Sequence, residues 1–169
     1  MSYLQMRYFA LLAGAACLLA AIFVPWLDLT TAMFGLPPLQ AVSPSAIIWG
    51  AVSNSPAIVR SPALVVGGIL YVGAALAIAG LSIPIVRGAE QRSYGVSRLA
   101  SALIAGAVEC GLFGLFALLA LPLMLAFFAP YPDATIDLGI VPSLTGSVLA
   151  IIGLAPIAIS TRGRATHGA

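Results

Sequence analysis

The sequence predicts an all-α integral membrane protein, a bundle of four transmembrane helices with both termini cytoplasmic. Three observations predict it. The 169 residues are 62% hydrophobic and only 7% charged, against about 25% charged in a typical soluble domain, so a water-facing surface could not be covered. The apolar residues collect into four runs, each long enough to cross a bilayer with about 20 residues or slightly fewer. The arginines fall almost entirely on one side of those runs.

The first run spans residues 4–25, with Arg7 at its front and Pro25-Trp26 at its end. No small-x-small cleavage site follows, so it reads as a retained helix and not a signal peptide. Residues 26–61 form a long first external loop, broken by Pro37, Pro38, Pro44 and Pro56. Within it, Ser43-Pro44 has the form of a helix start, with Ser as N-cap and Pro in the first turn. The loop therefore has room for a short interfacial helix, with Trp49 at headgroup depth. Trp26 is expected to be a similar interfacial anchor.

The second run, 62–86, begins with Pro62 and carries Gly73, Ala77 and Gly80 at helical spacing. Such stripes allow close helix approach in lipid. A polar cytoplasmic loop covers 87–98. The third run, 99–129, is longer than a bilayer requires and carries a second small-residue stripe at Ala102, Gly106, Cys110 and Gly114. It is expected to pack centrally, against the second helix and the first. A short external loop, 130–142, holds Asp133 and Asp137, which read as solvated acids. The fourth run, 143–160, has Gly146, Ala150 and Gly153 on one face. Residues 161–169 form a tail containing the only His, His167. The whole chain reads as one membrane domain.

With both termini cytoplasmic, the inner segments hold six arginines (Arg7, Arg87, Arg92, Arg98, Arg162, Arg164) and the outer loops only Arg60. That bias satisfies the positive-inside rule. All seven basic residues are Arg. Together with abundant Ala and Gly, this matches codon usage in a GC-rich bacterial genome, so the expected location is a bacterial inner membrane, crossed several times. The net charge of +2 and the placement of arginines at helix ends give no nucleic-acid surface.

Glu109 is the residue that most needs an explanation. Eleven residues beyond Arg98, it lies ~16 Å into the membrane at 1.5 Å per residue. A charged carboxylate there costs at least a few kcal/mol unless it is paired, protonated or hydrated. No Arg, Lys or His is expected at its depth; Cys17, Tyr71 and Ser147 are the neutral neighbours by level. Its place beside the Ala102–Gly114 stripe favours a protein-facing position.

The motif search finds no GxSxG, HExxH, P-loop or haem-attachment pattern. The two cysteines, Cys17 and Cys110, belong to no metal-binding pattern. No catalytic residue, metal or cofactor is therefore assigned, although structural lipids could be held. Two functions fit. The first is a non-catalytic accessory or structural subunit that stabilises or helps assemble a larger membrane protein complex, its partners being the bilayer and other membrane subunits. The second is a small proton- or cation-coupled transporter or channel component using Glu109. The layout, with a long first and a short second outer loop, resembles that of claudin-type four-helix proteins. The outer loop lacks the Gly-Leu-Trp and paired-Cys pattern of that family, so the resemblance is one of layout only.

Overall fold

The computed structural model describes residues 3–30, 39–52, 62–90, 94–128 and 133–159. Among these residues, five helices and three short strands follow one another: α1 (Tyr3–Phe23), β1 (Leu27–Thr30), β2 (Leu39–Val42), α2 (Pro44–Val52), α3 (Pro62–Glu90), α4 (Tyr94–Phe128), β3 (Asp133–Ile136) and α5 (Ile140–Ile159). Four of the helices, α1, α3, α4 and α5, are long and apolar enough to cross a membrane. Their outward faces are apolar: Phe9, Leu76, Leu112, Leu119 and Val148 are all exposed. In water such a belt would drive aggregation; in lipid it is the solvated surface. The protein is thus a multi-pass membrane protein with a helical bundle as its body.

The long helices close into a ring. α1 packs on α5, α5 on α4, α4 on α3, and α3 back on α1. The largest fully buried side chains point inward from this ring, among them Leu11, Leu18, Tyr71, Ile78, Ile85 and Leu154. The third run packs on the second, as expected, but α4 makes its most extensive contact with α5, which the expectation left out. The reason is small residues on both sides of that seam. A Cβ at Gly114 would lie 3.0 Å from Ser143 Oγ, and one at Gly111 would lie 3.4 Å from the Ser147 Cβ.

The α1–α5 seam is tighter still, because backbone meets backbone. A Cβ on Gly14 would fall 2.6 Å from the Ala150 amide nitrogen. One on Gly146 would fall 2.9 Å from the Gly14 carbonyl oxygen, and one on Gly153 would fall 2.7 Å from the Leu11 Cβ. Without a hydrophobic force between helices in lipid, van der Waals contact at this range is the main source of association.

The helices run beyond the apolar runs at the end where α3 meets α4. α3 continues to Glu90 instead of stopping at residue 86, and α4 begins at Tyr94 instead of 99. Hydropathy marks only the part of a helix immersed in lipid, whereas backbone hydrogen bonding continues through polar residues such as Arg87 and Arg98. At 35 residues, α4 is ~52 Å long, well over the ~30 Å hydrocarbon thickness. α1 stops at Phe23 because Pro25 disfavours helical geometry in the residue before it. α5 begins at Ile140, since Pro142 is tolerated in a first turn, where its missing N–H has no intrahelical partner.

The three strands form one antiparallel sheet, ordered β2-β1-β3. They lie in segments that the sequence presents as loops. β1 pairs with β3 in the register Leu27↔Ile136, Asp28↔Thr135, Leu29↔Ala134 and Thr30↔Asp133. Its pairing with β2 joins Leu27 to Val42 and Leu29 to Leu39, with an irregularity between. The ladder extends beyond the strands. The Asp137 amide donates to the Trp26 carbonyl and the Gly139 amide to the Pro25 carbonyl, both at 2.9 Å. A Cβ on Gly139 would collide with that same Pro25 carbonyl, so glycine is needed where the chain turns from the sheet into α5. These bonds tie the end of α1 to the start of α5 at one end of the bundle.

α2 begins with Ser43 as its cap: Ser43 Oγ accepts the Ala46 amide at 3.1 Å, satisfying one of the free donors of the first turn. Pro44 occupies the first helical position. α2 lies against the start of α3, where a Cβ on Gly68 would reach the Ile47 and Ile48 side chains at 3.5 and 3.6 Å.

Candidate functional site on the outer α3–α4 flank

Glu109 stands near the centre of the apolar span Gly95–Ala120 of α4. One helical step from it, Cys110 is fully buried. The 100° turn per residue carries Glu109 away from the core to the flank of the helix, where it is partly exposed among Ala102, Ala105, Val108 and Leu112. Glu109 sits about a third of a turn from Cys110, and this chain covers it only in part. Among the described residues, its carboxylate makes no hydrogen bond and no ion pair.

Of the neutral groups expected at its depth, Tyr71 and Ser147 are engaged elsewhere, and Cys17 is a half-buried free thiol. The Tyr71 hydroxyl donates to Ser143 Oγ at 3.1 Å. The Ser143 hydroxyl donates in turn to the Cys110 carbonyl at 3.5 Å, and the Cys110 thiol donates to the Tyr71 carbonyl at 3.7 Å. Ser147 donates to the Ser143 carbonyl at 2.8 Å. This closed circuit joins α3, α4 and α5 inside the ring, with every hydroxyl engaged, as burial in a low-dielectric interior demands. A tyrosine on α3, a cysteine on α4 and two serines on α5 give no sign in the sequence that they meet.

Beside the circuit, Trp26, Tyr71 and Phe113 form an aromatic cluster. The Trp26 and Tyr71 rings meet edge-on at 5.2 Å, and Phe113 lies 5.7 Å from Trp26 and 5.9 Å from Tyr71. Trp26 is only 2% exposed, and its indole N–H donates to the Ala21 carbonyl at 2.8 Å. It is a core residue, not the interfacial anchor expected from its place after the first run. The α1–sheet junction turns it inward, and the Ala21 carbonyl, in the open last turn of α1, accepts the hydrogen bond of its indole N–H. Trp49 lies on α2, but its side chain lies outside the described ones.

The small-residue stripes divide in the same way. Cys110 and Gly114 are buried, and Gly106 meets the Ala74 Cβ of α3 at a distance of 3.3 Å from an added Cβ. Ala77 is half-buried. Gly73, Gly80 and Ala102 face outward, and a Cβ on Gly73 or Gly80 would meet nothing within 4 Å. As packing positions within this chain, those three are corrected. Gly106 faces Ala74, and Gly67 faces the Phe113 ring; these two antiparallel contacts bracket Glu109. From Glu109 toward the Arg98 end, α4 presents the small, exposed Ala102 and Ala105.

No protein-family model matches the chain, and no curated protein and no solved structure is detectably similar to it. The chemistry has to be read from the residues alone. Among the described residues, no group of three or more His, Cys, Asp or Glu is placed to hold a metal ion. What the flank offers is one carboxylate at mid-span, on a surface shaped for close helix approach.

Proposed function

We propose that this chain is a non-catalytic accessory or structural subunit that stabilises or helps assemble a larger membrane protein complex. The observation that carries the proposal is the position of Glu109: mid-span, partly outward, and without a partner among the described residues. A carboxylate left to lipid is costly, and contact with another membrane protein relieves that cost. The outward Gly73, Gly80 and Ala102 support the reading, because they cost packing inside the chain and lower the barrier to a neighbouring helix. A proton- or cation-coupled carrier would want its carboxylate facing a watery path through the bundle. The partly exposed flank favours the subunit reading over that alternative.

The proposal includes an orientation and a location. Arg7, Arg87 and Arg98 lie at the end of the bundle opposite the sheet, and the Asp-bearing sheet lies at the other. By the positive-inside rule, the arginine end faces the cytoplasm and the sheet faces outward, in the inner membrane of a bacterium. Arg60, Arg92, Arg162 and Arg164, which enter the same argument, lie outside the described residues.

The test is native mass after gentle extraction from the source membrane, with proton and cation flux measured on the reconstituted protein. A defined complex larger than a homo-oligomer, and no flux through wild type or Glu109→Gln, is the expected result. Migration as a monomer together with flux abolished by Glu109→Gln would establish the carrier instead.

A further inference from the structure

Resting on the subunit reading, we infer that the outer α3–α4 flank docks a transmembrane helix of a different protein that carries an Arg, Lys or His near the middle of its span, opposite Glu109. The charge of the site selects the occupant. Glu109 is an acid at mid-span on α4, so its complement is a cation at that same depth. Among the described residues, a second copy of this chain offers no cation at that depth. Its described cations, Arg7, Arg87 and Arg98, lie at helix ends. Along the helix axis Arg98 is ~16 Å from the level of Glu109. A two-fold contact through this flank would set carboxylate against carboxylate. Lipid headgroups carry their ammonium groups at the membrane surface, out of reach of the middle of the span.

The shape of the flank agrees with a helix as the occupant. Ala102 and Ala105 on α4 are small and exposed, and Ala77 on α3 is small and half-buried. A helix laid along the seam could approach closely on the Arg98 side of Glu109. Buried by that helix, the carboxylate and a basic side chain would form a charge-assisted pair in a medium with little water to screen it. Neither group is favourable in lipid without the other, so the pairing also selects the partner.

A photo-crosslinking amino acid is placed, one site at a time, at Leu70 or Leu112 on this flank, and at Leu12 or Val148 on the faces of α1 and α5. The full chain is expressed in its source membrane, and cross-linked peptides are identified by mass spectrometry. The expected product from Leu70 and Leu112 is a transmembrane segment of another protein with a basic residue near its centre. Its yield should fall about tenfold in Glu109→Gln, persist in Glu109→Asp, and return when Glu109→Lys is paired with an acidic residue at the partner's basic position. Cross-links from Leu12 or Val148 alone would overturn this inference and leave the subunit reading standing. A second copy of this chain captured from Leu70 or Leu112, or a partner span without a basic residue, would overturn the basic-helix assignment. Lipid adducts from all four sites would overturn both.

Discussion

Two surfaces of this bundle carry small residues at helical spacing, and they put them to opposite use. On the α1–α5 seam, Gly14, Gly146 and Gly153 are buried, and backbone atoms of the neighbouring helix fill the space a side chain would take. On the outer side of α3, Gly73 and Gly80 have nothing within 4 Å of an added Cβ. The spacing is alike in both. It states that a close approach is permitted; it does not state whether the approaching backbone belongs to the same chain. The first surface is part of how the protein folds. The second contributes nothing to the fold, and its glycines weaken the α3 helix without an internal contact in return.

The comparison is broken most directly at Gly14. Gly14→Val would drive a branched side chain into the Ala150 amide and the Gly146 carbonyl, neither of which can move without shifting a helix. Overpacking of this kind is expected to cost about 3 kcal/mol, enough to part α1 from α5. Thermal unfolding in mild detergent, followed as loss of the monomer peak on gel filtration, measures it. A Gly14→Val protein as stable as wild type would mean that this seam is not the close contact described.

A smaller effect is expected at the hydroxyl circuit. Tyr71→Phe keeps the ring in the aromatic cluster with Trp26 and Phe113 and removes only the donor to Ser143 Oγ. The Ser143 hydroxyl still has the Cys110 carbonyl, so no buried group is stranded. Hydrogen bonds between membrane helices average about 0.6 kcal/mol, and a loss of that size is the expected result of equilibrium unfolding in micelles. A loss several times larger would show that the circuit acts as a unit whose members depend on one another.

The sequence was informative where its physics is local and averaged over many residues. Four spans follow from hydropathy because lipid leaves a transmembrane helix almost no choice of side chains. The helix ends were misjudged where polar residues continue a helix out of the lipid, as at Arg87–Glu90 and Tyr94–Arg98. The sheet was missed altogether. Its strands are four residues each, and β1 finds Asp133–Ile136 across two transmembrane helices, a pairing that no window along the chain contains. Trp26 was misplaced for a related reason: its position after an apolar run suggests an interface, but the ladder from Trp26 to Asp137 turns it into the core. Glu109 was legible as the exceptional residue, since any intramembrane carboxylate is. Its direction was not, because one residue separates the buried face of Cys110 from the partly exposed flank.

The sharpest form of the comparison repeats the Gly14 substitution where the space is open. Gly80→Val adds the same atoms as Gly14→Val, at a position where, among the described residues, nothing lies within 4 Å of an added Cβ. Unfolding of the isolated protein should change by no more than about 0.5 kcal/mol. In the source membrane the same substitution should lower cross-linking from Leu70 to a neighbouring helix, because a branched side chain now holds that helix off the seam. If Gly80→Val instead destabilises the isolated protein as much as Gly14→Val does, Gly80 is a fold residue and the two surfaces do not differ. If it changes neither stability nor cross-linking, the open glycines are no part of a docking surface, and Glu109 alone would have to hold the partner.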